Sequence, residues 1–531
     1  MSYSPQLVYF LERLSGFSTN IFKLMPQGSP DAAPNSITRI TLPANALLNT
    51  RSFKLHFRAS CVAGSSVGGR LPADLSTLIE RVEVSAGGVQ LSQGTNFYNT
   101  LVNAKAAIQG SRCDSVTGHS ELVFNNKFDG SNVGAAAGDD ETYTTGTPHV
   151  IDKWEGFLGT CEPKILDAAI LPDLVVSIYW ADNSVLASCK QADTFANFCI
   201  APTAGASAVY EIKDIHASIE TIGLADSVYD NMVSSMIASK GFVEIPFKQY
   251  FSFSNTHTGA SRFTVATQSL DRLWTAWRAS DYNTLGAPQA VPGYGFGDID
   301  RTVPIVQANI TIATGSFAVA THGFVVGQAL TYRDNGAQAA TPLFDGRVVY
   351  VKTVTDAGNF IISATPGGAA LVLTNDGNDA QYFQTSAAPS DYRGVHGTAG
   401  DKYLSKYQKF SEPGASGALK YQFQLNGAYY PQYPAETEDM YQITKNSLPG
   451  SVKYDLTVEQ LRDSYFVQCI RLNMPDSEFS RTVSGLDTRS VSLNGYVNTT
   501  GTLATDPNLM IFAECTSSLR VGSGRQIEII I

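Results

Sequence analysis

The chain has 531 residues, a length that fits three or so domains, or two large all-β ones with an insertion, at roughly 100–200 residues per domain. With 37 Lys and Arg against 48 Asp and Glu its formal charge is −11, and without a Lys/Arg-rich arm that balance gives direct nucleic-acid binding no electrostatic support. Intrinsic disorder needs high charge and few aromatics, whereas only 16% of this chain is charged and it carries 24 Tyr and 27 Phe.

At the start of the chain Leu7, Phe10, Leu11 and Leu14 fall at i, i+3, i+4 and i+7 behind Pro5, which predicts a short amphipathic helix. The same stretch has no basic n-region and holds Glu12 and Arg13 among its apolar residues, so no secretory signal is expected. Two readings of this helix stand: it packs on its own domain, or it is an arm reaching a neighbouring molecule or a membrane. From residue 37 the dominant period is two. Segments 37–42, 52–58, 79–85, 173–180 and 210–220 alternate apolar and polar residues, as strands with one face on a core do. Val82-Glu-Val-Ser-Ala-Gly-Gly-Val-Gln-Leu-Ser-Gln reads as strand, tight turn at Gly87 and Gly88, and short strand, running into a helical stretch at 97–104. Asp139-Asp140-Glu141 reads as a solvated loop, with a calcium site as the sharper alternative. A connecting helix capped by Asp226 is expected at 225–240.

Segments 242–247 and 262–267 resume the alternation. The stretch 302–390 contains no Glu, Cys or Trp and breaks into short alternating runs between Gly-rich turns. It reads as a small β module inserted at a loop tip, where insertions are tolerated, with linkers at 280–300 and 387–401. Tyr421-Gln-Phe-Gln-Leu-Asn-Gly-Ala-Tyr-Tyr-Pro-Gln then repeats the earlier unit: strand, turn at Asn426 and Gly427, short strand, and a helical stretch at 440–447. Asn-Gly suits a two-residue turn whose central residues both need positive φ. Strand patterns at 465–472, 509–514 and 526–531 close the chain.

A unit found twice points to one duplicated sandwich, and the class is all-β. The expected organisation is an N-terminal arm with a short helix over 1–36, a first sandwich over 37–224 and the connecting helix over 225–240. A second sandwich follows over 241–301 and 391–531, interrupted by the surface module at 302–390.

Chemistry finds little purchase. No apolar run reaches the ~18 residues of a membrane span; the best, 165–180, is broken by Asp167, Pro172 and Asp173. Cys61, Cys113, Cys161, Cys189, Cys199, Cys469 and Cys515 form an odd, scattered set without CxxC, which reads as reduced thiols in a reducing compartment. No GxSxG occurs, and Gly414-Ala-Ser-Gly misses its spacing. The seven His (His56, His119, His149, His216, His257, His322, His396) show no HExxH or HxH pair, and His56 and His216 read as ordinary strand residues. Asn375-Asp-Gly-Asn-Asp lacks the Glu that closes a calcium loop and reads as a turn; Gly293-Tyr-Gly-Phe-Gly is not a nucleotide fingerprint. Asn309-Ile-Thr and Asn498-Thr-Thr are sequons only on a secretory route. Trp274, Trp277, Tyr429, Tyr430 and Tyr433 read either as a sugar platform or as core plus intersubunit surface. No enzyme activity, cofactor or metal is expected. The residues singled out, Gly87, Gly88, Asn426 and Gly427, are structural turns.

The duplicated strand–turn–strand–helix unit and the joining helix resemble the double jelly-roll major capsid proteins of the adenovirus, virophage and polinton-like virus lineage. The likeness is strongest to those of polinton-like viruses and virophages of algae. Leu42-Pro-Ala-Asn-Ala-Leu-Leu-Asn-Thr-Arg-Ser-Phe-Lys-Leu, the 421–431 stretch and Val483-Ser-Gly-Leu-Asp-Thr-Arg carry it, and it spans 37–300 and 400–531. The resemblance implies two tandem jelly rolls and a homotrimer of pseudo-hexagonal outline that tiles an icosahedral shell. It further implies penton and minor capsid proteins as partners, a virion location, and host-surface contact through 302–390; an internal membrane is left open. The alternative is a glycan-binding surface protein or adhesin with recognition on the inserted module. A β-sandwich glycoside hydrolase would need two carboxylates across a cleft, and nothing nominates such a pair.

Overall fold

The computed structural model describes residues 17–531 apart from 110–146, 191–208, 225–234, 286–288, 291–299, 387–402, 449–457, 475–484 and scattered shorter stretches. The helix expected at 5–15, Asp139-Asp140-Glu141, His119, His396 and Gly293 lie outside the described residues, as does most of the connecting helix, of which 237–240 are helical.

Eight strands build a first sandwich: β1 (Phe17–Leu24), β2 (Ile37–Thr41), β3 (Leu47–Val62), β4 (Ile79–Ala86), β5 (Val89–Gln90), β6 (Thr147–Ile151), β7 (Leu174–Trp180) and β8 (Val209–Leu224). Helix α1 (Tyr98–Gln109) lies between β5 and β6. One sheet runs β1-β8-β3-β6 and the other β2-β7-β4-β5, every pair antiparallel. A second set follows: β9 (Phe242–Thr256), β10 (Ala260–Val265), β11 (Leu270–Arg278), β12 (Lys420–Leu425), β13 (Ala428–Ala435), β14 (Val467–Arg471), β15 (Leu493–Thr500) and β16 (Asn508–Gly522). Helices α2 (Thr437–Ser447) and α3 (Val458–Ser464) lie between β13 and β14. Its sheets run β9-β16-β11-β14 and β10-β15-β12-β13. Adding eight to each strand of the first sandwich reproduces the second, helix position included. Two four-strand paths interleaved this way are a jelly roll; the short strands Ile165–Asp167 and Ile527–Ile530 add to β3 and β16 as fifth members of their sheets. The fold is therefore all-β, with two tandem jelly rolls.

Period two explains most of these strands. In β4, Val82, Val84 and Ala86 point into the first core, and in β7 Leu174, Val176, Ile178 and Trp180 face them. In β12, Tyr421, Phe423 and Leu425 do the same in the second. The strand β1 is a departure: Phe17–Leu24 falls in the stretch expected to be an arm, yet pairs with β8 along its whole length.

Between β11 and β12 the chain makes a separate seven-stranded antiparallel sheet. Its order is Asp300–Pro304, Tyr382–Ser386, Ala329–Arg333, Val348–Asp356, Asn359–Ser363, Ser316–Ala318 and Ile310–Thr311. A core of its own centres on Phe317, Phe360 and Phe383, whose rings lie 5.0–5.8 Å apart. Its first and last strands pair, with Asp300 opposite Ser386, so the two ends of the module leave the jelly roll side by side.

Candidate assembly surfaces and the seam between the sandwiches

The jelly rolls are joined by shared cores. Leu101, Ala104, Ala107 and Ile108 of α1 pack in the second core, although their helix belongs by sequence to the first sandwich. In return Ile245 and Phe247 of β9 and Leu519 and Val521 of β16 complete the first core. Every residue of β11 is consequently buried. Its odd-numbered side faces the opposite sheet, where Trp277 meets Tyr421 with ring centroids 6.0 Å apart. The even-numbered side lies under α1.

Most polar groups on that even side find partners, although Arg278 Nε and Nη1 are buried without a hydrogen bond among the described residues. Arg272 Nη1 donates to Glu514 Oε1 at 2.8 Å and Trp274 Nε1 donates to Glu514 Oε2 at 2.9 Å. Burial alone would raise the Glu514 carboxyl, but Arg272, helped by Lys105 and Lys248, holds it down to about 2. Lys105 of α1 donates to Glu155 at 2.6 Å and to the Tyr250 hydroxyl at 3.0 Å. Arg278 Nη2 donates to Thr100 Oγ1 of α1 at 2.9 Å, and its guanidinium lies over the rings of Tyr407 (4.3 Å), Tyr282 (4.9 Å) and Phe410 (5.0 Å). Removing one partner of the Arg272–Glu514 pair would leave the other as an uncompensated buried charge.

Two sheet edges offer contact surfaces. Among the described residues β1 borders β8 alone, and it exposes Ile21 (71%) and Phe22 on opposite faces. Among the described residues β13 borders β12 alone, with Tyr429, Tyr430 and Tyr433 (52%) exposed. A cleft of about 600 Å³ is lined by Ala428, Tyr429, Tyr430, Pro431 and Gln432. Apolar edges of this sort invite strand pairing or coverage by another chain. Trp274 and Trp277, grouped with these tyrosines by sequence, are instead fully buried, so no five-ring platform exists.

The turn residues lie where the chain reverses. Gly87 and Gly88 join β4 to β5 with φ of 53° and 87°; Asn426 and Gly427 join β12 to β13 with φ of 47° and 88°. Successive strands run in alternate directions, so within the second jelly roll these tight turns sit at the end opposite the inserted module and α2.

Other candidates resolve into structure. Asp379 Oδ1 accepts from Gln307 N at 2.8 Å and Asp376 Oδ1 from Gln307 Nε2 at 3.0 Å, which makes 375–379 a pinned turn. His257 is buried between Ser261 Oγ (2.7 Å) and Thr499 Oγ1 (2.8 Å), and desolvation lowers its pKa to about 4. His322 packs in the module core, where its Nδ1 accepts from Phe324 N at 3.0 Å. Asn309 is exposed, while Asn498 Nδ2 donates to Gln424 at 3.4 Å. Cys161, Cys469 and Cys515 are buried free thiols, each with its pKa raised by burial. Among the described residues no group of three His, Cys, Asp or Glu could hold a metal, and no helix is long and apolar enough to cross a membrane. One association escaped the sequence: His56 and His216 stack across β3 and β8. Both lie at polar positions of alternating runs, but strand register carries no local signal.

No protein-family model and no curated protein matches the chain. Among solved structures it is similar to the capsid of the virus PBCV-1, with a TM-score of 0.48 and 11% identity over 98% of both chains. It is also similar to the Faustovirus major capsid protein, at a TM-score of 0.47 and 11% identity over 97% of this chain and 92% of that one. The mavirus major capsid protein gives a TM-score of 0.39 and 10% identity over 99% of this chain and 93% of that one. The fold stated above follows from this chain's own strand order.

Proposed function

We propose that this chain is a major capsid protein, the structural subunit of an icosahedral virus shell. The observation that carries the reading is the recurrence of one eight-strand order in a single chain, its two copies locked through α1. Three such chains about an axis present six sandwiches, so threefold association gives a near-hexagonal block, and blocks of that outline tile a surface. The first partner is therefore another copy of the same chain. Contacts between blocks can be individually modest, because the lattice multiplies them. The edges at β1 and β13 supply apolar side chains that a neighbour would cover.

On this reading the inserted module stands at the outer end of the second jelly roll and meets the host surface. Penton and minor capsid proteins complete the vertices and joints. Buried thiols suit folding in a reducing compartment of the host before packaging into the virion. No catalytic step is asked of the subunit, whose work is shape and rigidity.

Light scattering after size-exclusion chromatography, with negative-stain imaging of the same fractions, tests the reading. The expected species has three times the mass of one chain and a hexagonal outline. A monomer that persists at high concentration, with no such outline in any fraction, would overturn it.

A further inference from the structure

The outer face of sheet β1-β8-β3-β6 carries an imidazole pair that the capsid reading does not use. His56 of β3 and His216 of β8 are direct register partners. Their rings lie 4.8 Å apart and 3° from parallel. One nitrogen of each is occupied: His56 Nε2 bonds with Ser218 Oγ at 2.9 Å, and His216 Nδ1 with the Asp214 carbonyl oxygen at 3.0 Å. Beside them the register slips between Lys213 and His216, and Asp214 takes a φ of 55°. The seam is already irregular at this point.

The charged neighbours come from three strands and from Asp31, which precedes β2 and whose Oδ1 accepts from Asp214 N at 3.3 Å. β3 contributes Lys54 and Arg58, and β1 contributes Lys23, which reaches the pair through the register Lys23–Ser218–Lys54. β8 contributes Asp214, which pairs with Arg58 at 3.6 Å, and Lys213, which pairs with Glu211 at 3.0 Å. Glu220, further along β8, accepts from Asn49 at 2.7 Å. β6 places only Val150 and Pro148 opposite His56 and Arg58. Asp214, Glu211 and Glu220 are thus already engaged, and the cations left to act on His56 are Lys54 and Lys23. Two neutral imidazoles stack in such a place; two imidazoliums repel.

We propose that His56 and His216 form an acid-sensitive latch: neutral and stacked they close the β3–β8 seam at its bulge, and protonated they force it open. Burial, then His216, Lys54 and Lys23, all lower the pKa of His56 from its ordinary 6.5. The closed seam therefore takes up a proton less readily than the opened one. Its stability is complete above the ordinary histidine range and is lost as pH falls below it. The latch is a property of one subunit and does not rest on the capsid reading.

Hydrogen–deuterium exchange of the full chain at about pH 7.5 and about pH 5.5, corrected for the intrinsic rate, brackets the histidine range and tests it. Peptides of β3 and β8 should lose protection by up to about tenfold at the lower pH, the most that one histidine of lowered pKa gives one unit below its ordinary 6.5, relative to peptides of β11 and β16. In the His56→Gln/His216→Gln double variant that selective loss should vanish. An equal response across both jelly rolls in the unmodified chain would overturn the proposal. So would the same β3 and β8 response in the variant. The first arm needs no mutant, so a variant that fails to fold does not rescue the idea.

Discussion

The two tight turns match angle for angle: Gly87 and Asn426 lie at φ of 53° and 47°, Gly88 and Gly427 at 87° and 88°. Their surroundings differ. A Cβ on Gly87 would lie 2.7 Å from Pro172 Cβ, whereas one on Gly88 or Gly427 would meet nothing within 4 Å. Asn426 also uses its side chain, with Oδ1 accepting from Asn494 N at 3.0 Å. At Gly427 a side chain faces only the backbone cost of the left-handed region, about 1–2 kcal/mol. At Gly87 the collision is added. Gly87→Asn should therefore lower the melting temperature clearly more than Gly427→Asn, although asparagine tolerates this backbone region better than most residues. Differential scanning calorimetry of the two variants decides it, and equal melting would mean that Pro172 yields. Gly427→Val should in turn exceed an exposed substitution elsewhere, since β-branching worsens the left-handed conformation.

At the scale of elements, the inserted sheet has its own core and its ends leave together. Opposite residues of an antiparallel pair are about 4.5–5.5 Å apart, so a short Gly/Ser bridge can replace 300–386 without dragging β11 or β12. That deletion should leave the oligomeric state and the main melting transition of the remainder unchanged, as read by light scattering and calorimetry. Loss of soluble protein would place the module within the main fold instead. The module's separateness was legible in composition, and β4, β7 and β12 in their alternation, because each has one face on a core and one on solvent. The repeated Gly turn exposed the duplication. β1 and β11 were not legible, for opposite reasons. In β1 the adjacent Ile21 and Phe22 are both exposed, so no period marks a core face. In β11 both faces are covered, and its Arg272 and Arg278 look like surface residues until the rest of the fold is placed over them. The His56–His216 pair was hidden because register between distant strands is set by tertiary contact.

At the scale of the whole molecule, the shared cores make the duplication more than a tandem. Removing the first jelly roll would take Leu101, Ala104, Ala107 and Ile108 from the second core and uncover Arg272, Trp274 and Glu514. Each large aliphatic side chain so lost is worth about 1.5–3 kcal/mol of burial. Leu101 and Ile108 together come to about 3–6 kcal/mol, which reaches the lower end of the ~5–15 kcal/mol that holds an ordinary domain together. Residues 241–531 expressed alone should accordingly be expanded or aggregated, with tryptophan emission shifted to the red as Trp274 meets water. Co-expression with 1–240 should restore a soluble complex whose emission matches the intact chain. A lone second half that melts cooperatively with blue emission would show the α1 contact to be dispensable, and with it the rigid coupling of the two sandwiches. That coupling is what a tiling block requires: a hinge between the rolls would let six sandwiches depart from a hexagon, whereas a helix of one buried in the core of the other leaves no hinge to move.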